Sequence, residues 1–139
     1  MSSSPSYSQS PGPLGELFKT IGVSHAAKVP LGGQLVVTGG QPGFDLKTGQ
    51  LVTSSIRDEA EACFNCVEAA LKSAGVQDGL SAAHKFTVFL TDFQHDEVLM
   101  ETWRARCPDH RPAWLTVGIK ELAVPGMHFE IQAEAIIAQ

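Results

Sequence analysis

What this sequence has little of already narrows what it can do. No apolar run approaches the roughly 18 residues that a membrane span needs. Three cysteines in 139 residues, Cys63, Cys66 and Cys107, cannot all pair within one chain and are too few for a disulfide scaffold, so a reducing, cytoplasmic setting is expected. Ten Lys plus Arg stand against fifteen Asp plus Glu, a formal charge of −5, and no basic stretch stands out. Nucleic acid is therefore an unexpected partner. With 43% apolar and 18% charged residues, the chain is too apolar for global disorder and buries a real core. A length of 139 residues makes that core a single domain.

Residues 1–13 contain six Ser and three Pro but no Lys or Arg. They fit neither a signal peptide nor an Arg-rich transit peptide, and are expected to form a disordered tail before a domain spanning 14–139.

The first clear strand is Gln34 to Thr38, bounded by Gly32-Gly33 and Gly39-Gly40. Asp45 to Gly49 has turn chemistry, with Leu51-Val52 starting a short return strand. A helix is expected over Ile56 to Ala74, where Ile56, Ala60, Cys63, Val67, Leu71 and Ala74 form one apolar face. Ser55 and Asp58 make a capping box, Asp58, Glu59 and Glu61 suit the positive end of the dipole, and Gly75 suits the stop. His84 to Leu90 alternates as a strand, with Phe86, Val88 and Leu90 on one face. A second helix runs from about Asp96 to Arg106 and ends before Pro108. Strands at Ala113 to Ile119 and Met127 to Ile137 follow, joined through Val124-Pro125-Gly126. The result is an α+β domain with a single mixed sheet and two helices on one face. Its other face is apolar enough to need a cover, and oligomerisation is the expected one.

Few motifs carry chemistry. Cys63-Phe-Asn-Cys66 lies in mid-helix without a second ligand pair, so it reads as buried structural thiols rather than a zinc or redox site. The five histidines form no H-E-x-x-H pattern, and no metal is expected. The run Gly39-Gly40-Gln41-Pro42-Gly43 lacks dinucleotide-binding spacing but suits close backbone approach to a ligand or neighbouring subunit. No G-x-S-x-G elbow is present. His128 precedes Glu130 by two positions on the last strand, where side chains share a face, so the pair could share a pocket or simply meet solvent.

Several segments together resemble the RidA family, also called YjgF-like proteins or reactive intermediate deaminases. They are Val36-Val-Thr-Gly-Gly-Gln-Pro-Gly-Phe-Asp-Leu-Lys-Thr-Gly49, Val67-Glu-Ala-Ala-Leu-Lys-Ser-Ala-Gly75, Val88-Phe-Leu-Thr-Asp92, Arg111-Pro-Ala113 and Phe129-Glu-Ile-Gln-Ala133. The resemblance implies a chorismate-mutase-like fold assembled as a homotrimer round a central barrel, with a small-molecule cleft at each subunit interface and no cofactor. Typical members hydrolyse enamines and imines released by pyridoxal-phosphate enzymes, clamping the substrate carboxylate with an arginine in a P-A-R-[ST] motif.

This chain departs from that pattern. It reads Pro112-Ala113-Trp114-Leu115-Thr116, so Trp114 stands at the arginine position and Thr116 where a cysteine is frequent. Gly39 replaces the usual serine, Met100 an asparagine and Val23 a tyrosine. Glu130 is retained, where family members hold or polarise water. The resemblance thus implies a cleft that keeps Glu130 as general acid or base, with Trp114 and Met100 packing on a more apolar substrate and Gly39, Gly40, Thr116 and His128 lining it. The expected function is an altered RidA-like enzyme acting on a small carbonyl, enamine or imine compound. The alternatives are a non-catalytic binding or regulatory trimer and, against the charge balance, an endoribonuclease.

Overall fold

The computed structural model of the protein describes residues 4–139. In chain order the elements are β1 (Ser6–Ser8), α1 (Pro13–Ile21), β2 (Ala26–Lys28), β3 (Gln34–Val37), β4 (Gln41–Pro42), α2 (Ile56–Ser73), β5 (Ala83–Leu90), α3 (Asp96–Arg106), β6 (Ala113–Gly118) and β7 (Phe129–Ile137), with short 3-10 turns before β5 and α3.

Helix α2 forms where its local chemistry asks for it. The Ser55 hydroxyl caps it by accepting from the Asp58 N–H at 3.0 Å. Its inward stripe of Ala60, Cys63, Val67 and Leu71 is fully buried. Helix α3 closes with the Cys107 N–H donating to the Trp103 carbonyl at 2.9 Å, and Pro108 prevents a further turn. Both helices pack on one face of a mixed sheet ordered β3-β7-β5-β6, in which β5 and β6 are parallel and the other pairs antiparallel. Phe86, Val88, Leu90, Phe129, Ile131 and Ala133 supply the sheet side of the core. The residues alternating with them, Lys85, Thr87, Phe89, Glu130, Gln132 and Glu134, are half-buried or exposed on the opposite, uncovered face.

Three sequence expectations are corrected. Residues 1–3 lie outside the described residues, but from Ser6 the expected disordered tail is β1, paired antiparallel with β2 in a separate two-stranded sheet. Gln9 anchors this arm by donating from Nε2 to the Val23 carbonyl at 2.7 Å. Serine-rich sequence carries little strand propensity, so the ladder comes from its distant partner.

A third helix, α1, joins the expected two. Phe18 and Ile21 pack on the core while Leu14 and Leu17 are each 52% exposed, so apolar residues on both sides blur its periodicity. Its clear signals are Pro13 at the start and left-handed Gly22 (φ 109°) at the stop. Finally, the expected return strand at Leu51-Val52 is reduced to one bridge between Phe44 and Leu51.

Candidate functional site

Strand alternation places Glu130 on the uncovered face, and the edge strand beside it makes room for its carboxylate. Strands β3 and β4 both pair with β7, through Val37 with Glu134 and Pro42 with Glu130, and the ladder is interrupted between them. Thr38 holds that interruption. Its N–H donates to the Ala133 carbonyl at 2.9 Å, its Oγ1 accepts from the Ala133 N–H at 3.0 Å, and its carbonyl accepts from Gln132 Nε2 at 2.9 Å. Gly39 and Gly40 follow. A Cβ on Gly40 would stand 2.8 Å from Glu130 Cδ and 2.9 Å from Oε1, so only glycine leaves the carboxylate where it is. A Cβ on Gly39 would meet only Gln41 Nε2, at 3.9 Å.

The colliding group is the end of a flexible side chain, so Gly40→Ala is expected to change stability by no more than about 1 kcal/mol. Any activity that depends on the carboxylate should fall. Thermal melting together with an activity assay checks both halves.

Helix α2 fastens the far side of this segment. Cys63 Sγ donates to the Gln41 carbonyl at 3.1 Å and Cys66 Sγ to that of Phe44 at 3.2 Å. Burial pushes both thiols above their usual range, and for Cys63 the negative groups Cys66, Glu59 and Glu130 add to it. The C-x-x-C pair is therefore structural, as its mid-helix position indicates. No group of three or more His, Cys, Asp or Glu side chains is placed to hold a metal among the described residues.

His128 has a different partner from the one its spacing suggests. It lies just before β7, and it is Glu59, only 2% exposed, that engages it: Oε2 accepts from the His128 N–H and Oε1 from Nδ1–H, both at 2.7 Å. The His95 ring meets the His128 ring edge-on at 5.2 Å. By sequence Glu59 suits the positive end of the helix dipole, yet it sits three residues after Ile56 and four before Cys63, on the apolar stripe. That spacing was the available signal of an inward carboxylate. Glu59→Ala would strand the His128 N–H and unpin the chain entering β7, at a cost of about 2 kcal/mol. Glu59→Gln, whose amide oxygen still accepts, should recover part of it, as read by urea denaturation.

Trp114 and Thr116 lie on the other side of the sheet. The parallel register pairs Phe86 with Trp114 and Val88 with Thr116, which turns both side chains to the helix-covered face at the edge strand. The Trp114 ring sits 5.1 Å from Phe86 and 5.2 Å from Trp103, and its Nε1 donates to Thr116 Oγ1 at 3.0 Å. Met100, expected to contact substrate, is 6% exposed and part of the core cluster. Val23 is buried there too, at 4%. The chain therefore brings Glu130 to Gly40 and Trp114 to Thr116, and holds the two pairs apart on opposite faces with β5 between their strands.

A mixed sheet with helices packed on one face and an open opposite face defines the chorismate-mutase-like α+β class. Residues 22–137 match the family model described as Endoribonuclease L-PSP. A 2-iminobutanoate/2-iminopropanoate deaminase of Dermatophagoides farinae is 30% identical over 90 residues, 65% of this chain and 69% of that protein. The crystal structure of RidA from an Antarctic Psychrobacter species is 30% identical, with a TM-score of 0.68 over 83% of this chain and 90% of that one. YyfB, a Rid-family protein of Yersinia pestis, superposes with a TM-score of 0.80 over 96% and 98% of the two chains at 16% identity, a likeness of fold alone. This chain belongs to the RidA, or YjgF-like, family.

Proposed function

We propose that the protein is a Rid-like enzyme that works as a homotrimer and processes a small carbonyl, enamine or imine compound by Glu130-assisted proton transfer and water chemistry in an inter-subunit cleft. The observation that carries this reading is the seating of Glu130: a half-buried carboxylate on an uncovered face, in space that Gly40 leaves for it. Trimer assembly is supported by the apolar side chains that face bears, Leu35 at 58%, Val37 at 51% and Leu115 at 57% exposure. It is supported also by the separation of Glu130 from Trp114, since a cleft using both needs one wall from each of two protomers.

Specificity differs from the deaminase relative in this reading. An indole at position 114 offers no charge-assisted bond to a substrate carboxylate, a loss of about 1.5–3 kcal/mol. A less anionic, more apolar substrate suits the site better. The test is turnover of an enamine or imine generated by a pyridoxal-phosphate enzyme, measured with the wild type, Glu130→Gln and Trp114→Arg. Activity in the wild type that Glu130→Gln leaves unchanged overturns the role of Glu130. Activity that appears only in Trp114→Arg shows that the deaminase reaction has been lost with the arginine.

One observation favours a second reading, a non-catalytic binding trimer. The Trp114 ring is locked among Phe86 and Trp103 and tied to Thr116, so it can fill the site rather than serve it. A thermal-shift screen of aromatic and apolar carbonyl compounds, read beside the turnover assay, separates binding without turnover from catalysis.

A further inference from the structure

Glu59 and His128 form a pair that the reaction proposed at Glu130 leaves unused. They meet between the start of α2 and the entry to β7, on the helix side of the sheet and away from the open face on which the trimer would rest. Anchoring the chain there needs one carboxylate oxygen, and Oε2 supplies it by accepting from the His128 N–H at 2.7 Å. Oε1 makes a second bond of the same length to the ring, at Nδ1. A carboxylate only accepts, so this bond places the ring proton on Nδ1 and leaves Nε2 with a free lone pair.

That nitrogen is within reach of a ligand. The His128 side chain is 36% exposed, and Nε2 is open to solvent with no hydrogen-bond partner among the described residues. His95 meets the ring edge-on at 5.2 Å and Phe129 flanks it at 6.4 Å, which hold the imidazole in its plane. An imidazole tied at one nitrogen to a carboxylate only 2% exposed, with the other nitrogen open, has the form of a general base.

Two cavities meet at His128. The smaller, about 220 Å3, is walled by Thr53, Ser55, Ile56, Glu59, Gly126 and His128, with no cationic side chain other than the imidazole itself. The larger, about 560 Å3, follows the loop before β7, with Thr91 and Lys120 on its wall. The Ser55 oxygen accepts from the Asp58 N–H, which leaves its hydrogen free to donate. Ile56 opens α2, and its N–H has no partner within the helix. The smaller cavity thus sets donors for an oxygen that gains negative charge beside a base.

We propose that His128 is the general base of a second site, which hydrolyses small uncharged esters. The acyl group enters the smaller cavity beside Ile56, and the alcohol part extends into the larger. His128 Nε2 takes a proton from water while the water oxygen bonds to the ester carbonyl carbon, and Ser55 with the start of α2 stabilises the oxyanion. The tetrahedral intermediate then breaks its bond to the alcohol oxygen, which leaves with the proton from Nε2. One ester and one water give one acid and one alcohol. Glu59 is the positioning residue, fixing the tautomer and steadying the imidazolium.

The test is release of p-nitrophenolate from p-nitrophenyl acetate by the full chain, for which saturable turnover is expected. His128→Ala keeps the backbone N–H that Glu59 holds and should lower kcat by about tenfold or more. Added imidazole should restore part of that rate, above the rate of imidazole alone. Glu59→Gln can still accept from the His128 N–H but no longer fixes the tautomer, so kcat should fall by a similar factor with KM little changed. A purely structural pair predicts lower melting temperatures and no rescue by imidazole. Absence of saturable turnover, wild-type turnover in His128→Ala, a loss there that imidazole does not restore, or turnover lost in Glu130→Gln but kept in His128→Ala would overturn the proposal.

Discussion

Glu130→Gln is expected to lower kcat by about 100-fold or more while changing KM little, in the range typical of removing a general acid or base. The amide keeps the shape of the carboxylate and fits the same space beside Gly40, but it cannot take up a proton near neutral pH. Stability should hardly move. Glu130 is half-buried, and its side chain makes no hydrogen bond within the described residues, so the exchange strands no partner. A fall in kcat with an unchanged melting curve is the signature of a chemical role. A parallel fall in both would instead place the carboxylate among the groups that hold the sheet together.

Trp103→Ala should be the most damaging single change to the fold, at about 3–5 kcal/mol. Trp103 is fully buried, and its ring lies 4.9 Å from Phe86, 5.2 Å from Trp114, 5.8 Å from Phe64 and 5.8 Å from His110. Its Nε1 donates to the Gly22 carbonyl at 3.1 Å, where α1 ends. The loss is a large part of the roughly 5–15 kcal/mol that holds a domain of this size together. Trp103→Phe separates the contributions. It keeps most of the ring volume and strands the Gly22 carbonyl, at about 1–2 kcal/mol. Urea denaturation of the two variants measures the difference, and equal losses would show that the hydrogen bond, not the packing, carries the effect.

Trp103 also shows where pattern reading stops. Helix α3 was legible from its acidic start and its proline stop, because those signals lie within a few residues of the ends they determine. That Trp103 reaches across to α1 was not, since the Gly22 carbonyl is 81 positions away in sequence. Helix α1 itself was blurred by Leu14 and Leu17, which face outward. Strand β1 was missed because three residues of Ser-Tyr-Ser have no preference that predicts pairing with Ala26–Lys28.

The candidate site divides in the same way. Glu130 stands out as a carboxylate on the last strand, and the resemblance of Phe129-Glu-Ile-Gln-Ala133 to a family segment gives it an expected role; the face it occupies is fixed by the β5–β7 register. The structural role of the C-x-x-C thiols is legible because their position within the helix can be counted along the chain. For His128 the pattern leaves two possibilities, because alternation relates it to Glu130 only if the strand includes it. The chain instead enters β7 at Phe129, and His128 turns to Glu59.

By itself, then, the sequence determined the spans of α2, α3, β5 and β6 to within a residue and the existence of β7 without its start at Phe129, the apolar face each presents, the retained carboxylate at 130 and the absent arginine at 114. All of these are properties of neighbours along the chain, set by helical and strand periods and by residue identity. The tertiary structure alone decided that Glu130 and Trp114 occupy opposite faces of the sheet, that Met100 is core, that Gly40 is cut to the width of a carboxylate, and that Ser55, Glu59 and His128 meet at one cavity. Those are properties of strand register and helix packing. Register is a relation between segments tens of residues apart, and a shift of one residue in it would exchange every inward side chain for an outward one.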